Sequence, residues 1–252
     1  MKPASALRQL GRMAALMLIS LLALELFFLA RIAAMAAIDP QSTTVQRSEA
    51  WRLLSEKGRI EWSQQWVPDD AISAALKRAV IASEDAAFSE HGGIDWEAVE
   101  RAWDRNQRAE ARAEQRNNLA SGTSRARVEP KVVGGSTITQ QLAKNLFLSG
   151  ERTPLRKMQE IALTFALEAC LSKRRILEIY LNNVEWGEGL FGAQAAARHY
   201  YRVDAAKLGA YPAARLAVML PAPKRFEKRP GSHYVAGRAA TVVARMGAVE
   251  LP

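Results

Sequence analysis

A cluster of acidic side chains follows an apolar segment in the first half of the chain. The stretch ASEDAAFSEHGGID, residues 82–95, contains four carboxylates and a histidine, and it comes directly after LKRAVI. On a helix that begins near residue 70, Glu84 would lie at the edge of the apolar face, whereas Asp85 would point nearly away from it. The two adjacent acids are therefore expected to have different environments.

Glu84 is a candidate proton acceptor, because burial against apolar surface raises the pKa of a carboxyl group. Glycosyl chemistry needs such a group at the attacking or leaving oxygen, and it needs others that stabilise charge at the anomeric centre or the leaving group. A Glu that follows an apolar run is also an ordinary helix end. Glu84 alone does not separate the two interpretations.

The stretch RKMQE, residues 156–160, supplies a possible counterpart. Arg156 lies four residues before Glu160 and Lys157 lies three before it, so all three side chains project to one side of a helix. Two cations beside a carboxylate suit a pyrophosphate leaving group, with or without a divalent ion. The same pattern is also that of a surface salt bridge.

A third stretch, GGSTITQQLAKN at residues 134–145, is dense in hydrogen-bonding side chains. A helix N-terminus preceded by Gly-Gly is a natural site for an anion or a sugar phosphate. Thr137 and Gln140 have the spacing of a capping box, which predicts the helix start. The candidate binding residues of this stretch are Ser136, Thr137, Gln140, Gln141, Lys144 and Asn145.

Other catalytic chemistries have little support in the sequence. GEGLFG, residues 187–192, has the spacing of a dinucleotide fingerprint but follows a helical pattern instead of a buried strand. The three histidines are scattered without H-E-x-x-H, and there is no S-x-x-K for an acylating serine. Cys170, the single cysteine, lies in an apolar helical run and is interpreted as a packing residue. Carboxylate chemistry remains.

The N-terminus predicts a membrane anchor. Residues 13–30 form an apolar run of about bilayer length, interrupted only by Glu25, and basic residues precede it. This charge distribution predicts a cytoplasmic N-terminus at residues 1–12, an anchor at 13–38 and an outer location for the rest. A cleaved signal peptide with a site at residues 34–36 is the alternative. The net charge of +9 favours an anionic partner without choosing among nucleic acid, membrane and a phosphate-bearing substrate.

The remaining pattern is mostly helical, and 252 residues suffice for one globular domain. We expect a helix capped by Asp69 or Asp70, a second from Asp95 to about Asn117, and a third that starts at Thr153-Pro154. The second helix carries a basic stripe, which is either a solvated face or a contact for an anionic partner. That stripe consists of Arg101, Arg105, Arg108, Arg112 and Arg116. Residues 39–69 are interpreted as a juxtamembrane connection whose tryptophans lie either at the bilayer interface or in the core, namely Trp51, Trp62 and Trp66.

Together these stretches resemble a known family. ASEDAAFSEHGGID, GGSTITQQLAKNLFL, RKMQEIALTFALE and SKRRILEIYLNNVEWGEGLFGAQAAARHYY, followed by RLAVMLPAPKRF, resemble the glycosyltransferase family 51 domain, specifically the monofunctional biosynthetic peptidoglycan transglycosylases. The resemblance covers about residues 70–228. It implies a mostly α, lysozyme-like domain with a smaller membrane-facing lobe, assigned here to residues 70–252.

The resemblance also implies an activity. The family polymerises lipid II into glycan strands with inversion at the anomeric carbon. Glu84 matches the base that deprotonates the acceptor 4-hydroxyl. Glu160 with Arg156 and Lys157 matches the group that stabilises the departing pyrophosphate. The resemblance makes Mg²⁺ a candidate participant in that step and implies no organic cofactor. Other matched residues are expected to bind substrate, and they are Asp85, Phe88, His91, Ser136, Thr137, Gln140, Gln141, Lys144 and Asn145.

The implied partners are lipid II, the growing strand, the membrane and other cell-wall synthesis or division proteins, with no nucleic acid. The implied location is the inner membrane, with one span and the catalytic domain on the periplasmic face. Two alternatives stay open. One is a lysozyme-like hydrolase or lytic transglycosylase, and the other is a non-catalytic, membrane-anchored cell-wall scaffold. The stretch between the first two motifs is longer and richer in Arg than the family leads one to expect.

Overall fold

The computed structural model describes residues 3–119, 129–130, 134–151 and 153–252. These residues are mostly helical, and the prediction of a mostly α fold with one N-terminal apolar helix is confirmed. The α-helices are α1 Pro3–Ala34, α2 Thr44–Lys57, α3 Ala74–Glu84, α4 Trp96–Leu119, α5 Ile138–Phe147, α6 Pro154–Cys170, α7 Lys173–Asn183, α8 Ala193–Tyr201, α9 Ala210–Met219, α10 Pro223–Phe226 and α11 His233–Met246. The short strands are β1 Ser63–Gln64, β2 Glu185–Gly187 and β3 Leu190–Phe191.

Helix α1 is long and apolar enough to cross a bilayer between Arg8 and Ala34, and none of its most apolar segment is buried in the protein. Its last turns do contact the globular part. Ile32 is fully buried, and the Phe28 ring meets that of Phe147 edge to face at 5.4 Å. The segment therefore fits a membrane anchor whose C-terminal end packs against the domain.

The juxtamembrane segment is more ordered than a connection. Helix α2 begins at a capping box of Thr43 and Gln46, and it is attached to α10 by the buried Glu49, which accepts from Lys224 at 2.5 Å. Two of the three tryptophans in the segment contact the domain. Trp51 is exposed, Trp62 stacks on Phe191 although it is 38% exposed, and Trp66 is half-buried beneath the guanidinium of Arg175.

Helix α3 begins later than its sequence suggested. Its N-cap is Ser73, whose hydroxyl accepts from the backbone N–H of Leu76 at 3.1 Å, so the expectation of Asp69 or Asp70 as the cap was wrong. Both acids lie in a preceding 3-10 turn, Asp69–Ala71. The carboxylate of Asp69 is held there by Lys77 and Arg174 and is not available to cap the helix.

The core that supports the site is built by two groups of helices. Helix α3 packs on α9 and α11, while α5 packs on α6 and α7. The predicted capping box of α5 and the predicted start of α6 at Thr153-Pro154 are both confirmed. Cys170 is half-buried and packs against the core, as expected for a packing residue.

The glycine-rich stretch at residues 187–192 forms a tight hairpin. Strand β2 pairs antiparallel with β3, which also pairs parallel with β1. Gly189 has φ +65, and a Cβ atom there would lie 2.1 Å from the carbonyl oxygen of Glu61. Only glycine fits such a turn, because L side chains rarely adopt this φ and the neighbouring backbone leaves no space.

Helix α4 closely matches the predicted second helix, and Asp95 caps it by accepting from the backbone N–H of Ala98 at 2.7 Å. Apolar side chains share this helix with the arginines. Trp96, Val99 and Trp103, at spacings of three and four residues, are all exposed. The helix thus presents both its arginines and a row of apolar side chains to its surroundings.

Candidate active site

Glu84 is the last residue of α3 and lies half-buried at the wall of a cleft. Its Oε2 atom accepts from Nε2 of Gln141 at 3.0 Å. Burial raises the pKa of the Glu84 carboxyl group, and the Gln141 hydrogen bond opposes that rise. Burial has the larger effect, which is the behaviour expected of a carboxylate that must accept a proton near neutral pH.

Asp85 differs from its sequence expectation. The helix ends at Glu84, and Asp85 adopts φ −161 and ψ 74 as the C-cap, so the helical projection no longer applies to it. Asp85 is 6% exposed, and it lies in the interior instead of pointing away. Its Oδ2 accepts from the backbone N–H of Ile138 at 2.9 Å and its Oδ1 lies 2.9 Å from Nε2 of His91.

These contacts give His91 a defined proton position. Nδ1 of His91 accepts from the backbone N–H of Gly93 at 3.1 Å, so the proton of the neutral ring is on Nε2 and is donated to Asp85. Phe88 is fully buried beneath the ammonium of Lys173 at 4.5 Å. Asp85 therefore joins the loop after α3 to the start of α5, the helix that carries Gln141. His91 holds Asp85 in place, and Phe88 anchors the loop beneath Lys173 at the start of α7.

Helix α5 divides the candidate binding residues into two groups. Thr137 and Gln140 are buried in the capping box, where each accepts a backbone N–H of the other. Thr137 also donates to the carbonyl oxygen of Gly93 at 2.6 Å. The side-chain bonds of these two residues therefore hold the backbone, although Gln140 still borders the cleft.

The other members of the set differ in their exposure to the cleft. Ser136, Gln141 and Lys144 line it. The surrounding protein desolvates the Lys144 ammonium, which lowers its pKa, while Glu160 and Glu84 both act to raise it. Lys144 therefore lies within electrostatic reach of both glutamates. Asn145 is half-buried on α5 and does not line the described cavities.

Glu160 is not part of a surface salt bridge. Its side chain is 4% exposed, Oε2 accepts from Nη1 of Arg156 at 2.9 Å, and Oε1 accepts from Nζ of Lys157. A buried carboxylate of this kind is retained only when it is paired, and removal of one partner is costly. Its role here is to fix both cations at the edge of the cleft, as helical spacing predicted.

Two adjoining cavities share this wall. The first, of about 320 Å³, is lined by the cations Lys144, Arg156 and Lys157 and by the carboxylates Glu151 and Glu160, so its charged lining has a small positive excess. The second, of about 470 Å³, contains Glu84 and continues toward α4 and α11. Ser136 lines both, and the Glu84–Gln141 hydrogen bond joins them. A proton acceptor thus lies beside a pocket suited to phosphate groups.

A divalent cation has few candidate ligands in this cleft. Across the described ranges, no group of three or more His, Cys, Asp or Glu side chains could hold a metal ion. Both oxygens of Glu160 already accept from cations. The described residues therefore do not fit a protein-held metal, and the charge that a metal would supply is already present on Arg156 and Lys157.

Sequence reasoning did not assign a role to Tyr180. This fully buried residue of α7 donates from its hydroxyl to Oε1 of Gln141 at 2.8 Å. Tyr180 lies in EIYLNNVEW, part of one of the family-like stretches, but an aromatic residue in an apolar helix normally indicates only core packing. Its role depends on a contact with a residue 39 positions away, which helical periodicity does not reveal.

Comparisons with known proteins identify the family of this chain. Residues 52–247 match the family described as Transglycosylase. The chain is 50% identical over 231 residues to proteins named biosynthetic peptidoglycan transglycosylase from Burkholderia lata and Burkholderia ambifaria, with 92% of this chain and 86% of each relative covered. A protein of the same name from Burkholderia thailandensis is 49% identical over 92% of this chain and 83% of its own length.

Proposed function

The chain belongs to the transglycosylase family, and from that premise we propose that it is a peptidoglycan glycosyltransferase that polymerises lipid II. The donor is the growing glycan strand on its undecaprenyl pyrophosphate, and the acceptor is the 4-hydroxyl of a second lipid II. The lysozyme-like helical fold expected from the sequence agrees with this membership. The observation that carries the proposal is the position of Glu84 beside a cationic pocket of about 320 Å³.

Glu84 is the general base in this proposal. As the acceptor oxygen attacks the anomeric carbon, its proton passes to the Glu84 carboxylate, a new glycosidic bond forms, and the bond to the pyrophosphate oxygen breaks. Attack from the face opposite the leaving group inverts the anomeric centre. The raised pKa of Glu84 supports this role, because a carboxylate whose pKa is raised by burial accepts a proton more readily than an exposed one.

The departing pyrophosphate would be stabilised by Arg156, Lys157 and Lys144. The first two are held in place by Glu160, and Lys144 extends from α5 into the same cavity. Preorganised cations lower the energy of developing phosphate charge without needing to rearrange during the reaction. A contribution from Mg²⁺ stays a prediction, and the steps above do not depend on it.

The remaining binding residues have supporting roles in this proposal. Ser136 and Gln141 would contact the saccharide where the two cavities meet. Asn145, on the following turn of α5, would support the cleft without lining it. Asp85, Phe88, His91, Thr137 and Gln140 would mainly position the cleft, although Asp85 and Thr137 also line the second cavity and Gln140 lines the first. This changes the sequence-based assignment of the first three from binding to positioning.

The membrane anchor supplies the setting. Helix α1 would cross the inner membrane once, with the catalytic domain on the periplasmic face, where the lipid-linked substrate is available. Basic residues before the apolar run support this orientation. Because the end of α1 packs on the domain at Ile32, the cleft would be held close to the bilayer. Contact with other cell-wall synthesis or division proteins stays a prediction, and no nucleic acid is expected.

The proposal is tested with purified full-length protein and labelled lipid II. Wild type should form glycan polymer, and both Glu84→Gln and Glu160→Gln should lose it, by about 10²-fold or more for the general base. Glu90→Gln, in the exposed part of the same loop, is the matched control and should polymerise normally. Near-normal activity of Glu160→Gln would reduce its ion pairs to a structural role.

Two other outcomes identify the competing functions. Shortening of preformed glycan without polymer would indicate a hydrolase or lytic transglycosylase, and an inert wild type would indicate a scaffold.

A folding control shows whether the loss of activity in Glu84→Gln comes from the site or from unfolding. Since the pKa of Glu84 is raised in the folded state, its ionisation costs stability as pH rises through that pKa, so Glu84→Gln should be at least as stable as wild type at pH 7.5.

A further inference from the structure

The second cavity contains more positive charge than proton transfer at Glu84 requires. Arg101 and Arg105, one turn apart on α4, line it from one side, and Arg245 near the end of α11 lines it from another. Arg101 and Arg105 are the first two members of the basic stripe, so only one end of the stripe lies at the cavity. Arg108, Arg112 and Arg116 do not line this cavity.

The charges of Arg105 and Arg245 are unpaired within the part of the chain that the structure describes. Arg101 is paired with Asp95 at 3.5 Å and with Glu97 at 2.9 Å. Arg105 donates only to the carbonyl oxygen of Arg101, and neither it nor Arg245 forms an ion pair with any residue that the structure describes. The stretches outside the described ranges contain no Asp or Glu, so they offer no carboxylate either.

The carboxylates that border the cavity are already engaged. Asp85 accepts from Ile138 and contacts His91, and Asp95 accepts from Ala98 and forms an ion pair with Arg101. Glu84 accepts from Gln141 through Oε2 and would accept the substrate proton in the proposed reaction. Two guanidinium groups from separate helices therefore face a space of about 470 Å³ in which Asp85 and Asp95 already have other partners. Such a pair is suited to a planar carboxylate, because a guanidinium can donate two parallel hydrogen bonds to it.

We infer that Arg105 and Arg245 form a subsite for a carboxylate on the peptide that the substrate saccharide carries. The inference rests on the proposed function. The first cavity would hold the pyrophosphate of the donor, and Glu84 would lie at the reacting hydroxyl of the acceptor, so the second cavity receives a disaccharide with its peptide. The sugar hydroxyls carry no charge, whereas the peptide carboxylates are planar anions that match two guanidinium groups. The acceptor's own pyrophosphate is the competing anion, and amidation of the peptide leaves it unchanged, so the two ligands give different results in the test below.

The test compares two lipid-linked disaccharide substrates, one with a free acidic peptide and one whose peptide carboxylates are amidated. The variants are Arg105→Gln and Arg245→Gln. Their matched controls are Arg108→Gln on α4 and Arg238→Gln on α11, which remove the same charge from the same helices at exposed positions. KM and kcat are measured for each pair of enzyme and substrate, and circular dichroism verifies folding.

For the acidic substrate, each variant should raise KM about fivefold to tenfold with kcat within twofold of wild type, as for the loss of one charge-assisted contact. For the amidated substrate, the variants should match wild type, whose own KM should be higher than with the acidic one. The inference is overturned if the variants behave like the controls or if KM rises equally for both substrates. A wild type that makes no polymer from either substrate would instead contradict the proposed function.

Discussion

Gln141 donates from Nε2 to Oε2 of Glu84 at 3.0 Å, while its Oε1 accepts from the hydroxyl of Tyr180 at 2.8 Å. The phenol fixes the orientation of the amide, because a flipped amide would place its NH₂ group against the Tyr180 proton and its oxygen against the carboxylate. Burial raises the pKa of Tyr180 and keeps that proton in place. The buried Tyr180 thus orients the Gln141 amide, and the amide in turn orients the Glu84 carboxylate, which is the proposed base.

Removal of the phenol should impair catalysis more than binding. In Tyr180→Phe, the Gln141 amide loses its fixed orientation, and Glu84 is held less well toward the acceptor. We expect kcat to fall about tenfold, which is less than the 10²–10⁴-fold that general base catalysis supplies, with KM nearly unchanged. The measurement is the steady-state rate of polymerisation.

The control for this variant is Tyr201→Phe, since the Tyr201 hydroxyl makes no hydrogen bond within the described part of the chain while its ring is half-buried. It should retain wild-type rates. The free energy of unfolding should fall by about 1 kcal/mol for Tyr180→Phe, the usual contribution of one hydrogen bond. A normal kcat with this loss of stability would show that the Tyr180–Gln141 bond serves the fold alone.

The pH dependence of the rate should respond to Gln141. In the proposed mechanism the ionised form of Glu84 accepts the proton, so kcat/KM should fall as the pH drops below the raised pKa of this group. The Gln141 hydrogen bond stabilises the ionised form and lowers that pKa. In Gln141→Leu the pKa should therefore rise further, and the acidic limb of the profile should move to higher pH.

The measurement for this variant is kcat/KM across the pH range in which the enzyme stays folded. Gln107→Leu, on the exposed surface of α4, is the control and should keep the wild-type midpoint. An unchanged midpoint in Gln141→Leu would mean that another group produces the acidic limb.

The sequence predicted local features of the site well and long-range ones poorly. The capping box at Thr137 and the alignment of Arg156 with Glu160 depend on spacings of three and four residues, which a helix determines by itself. The expected outward direction of Asp85 was wrong because the helix ends at Glu84, one residue before it. Helical periodicity does not predict the direction of a side chain beyond the end of a helix. The hydrogen bond from Tyr180 to Gln141 and the position of Arg245 at the second cavity depend on how distant segments pack, which helical periodicity does not reveal.

Asp85 should contribute strongly to stability through two acceptor oxygens. It faces two donors, the backbone N–H of Ile138 and Nε2–H of His91. The side chain of an Asn has only one acceptor oxygen, so Asp85→Asn leaves one donor unsatisfied in a buried site. We expect a loss of about 1–3 kcal/mol in the free energy of unfolding, measured by urea denaturation.

The exposed neighbour Glu90 gives the comparison for this variant, because Glu90→Gln changes the same charge without a buried partner and should alter stability by less than about 0.5 kcal/mol. Asp85→Asn should also reduce polymerisation, since α5 carries Gln141 and Lys144. A variant with full stability and reduced activity would instead indicate that Asp85 acts on the substrate directly.

The contact between the anchor and the domain leads to a prediction for Ile32. This residue is fully buried at the end of α1, although the helix before it is largely exposed. Ile32→Ala should lower the free energy of unfolding by about 2–5 kcal/mol, as expected for a core cavity. Leu22→Ala, on an outward-facing position that is 54% exposed, should have little effect on the unfolding of the domain.

Thermal unfolding of the full-length protein in detergent measures both variants under one condition. For a domain of this size, a loss of 2 kcal/mol corresponds to a fall in Tm of roughly 4–8 °C, which separates the two substitutions clearly. Equal Tm values would mean that α1 moves independently of the domain. In that case the anchor would bring the cleft to the membrane without fixing its distance from the bilayer, and the proposed supply of lipid-linked substrate would depend on tethering alone.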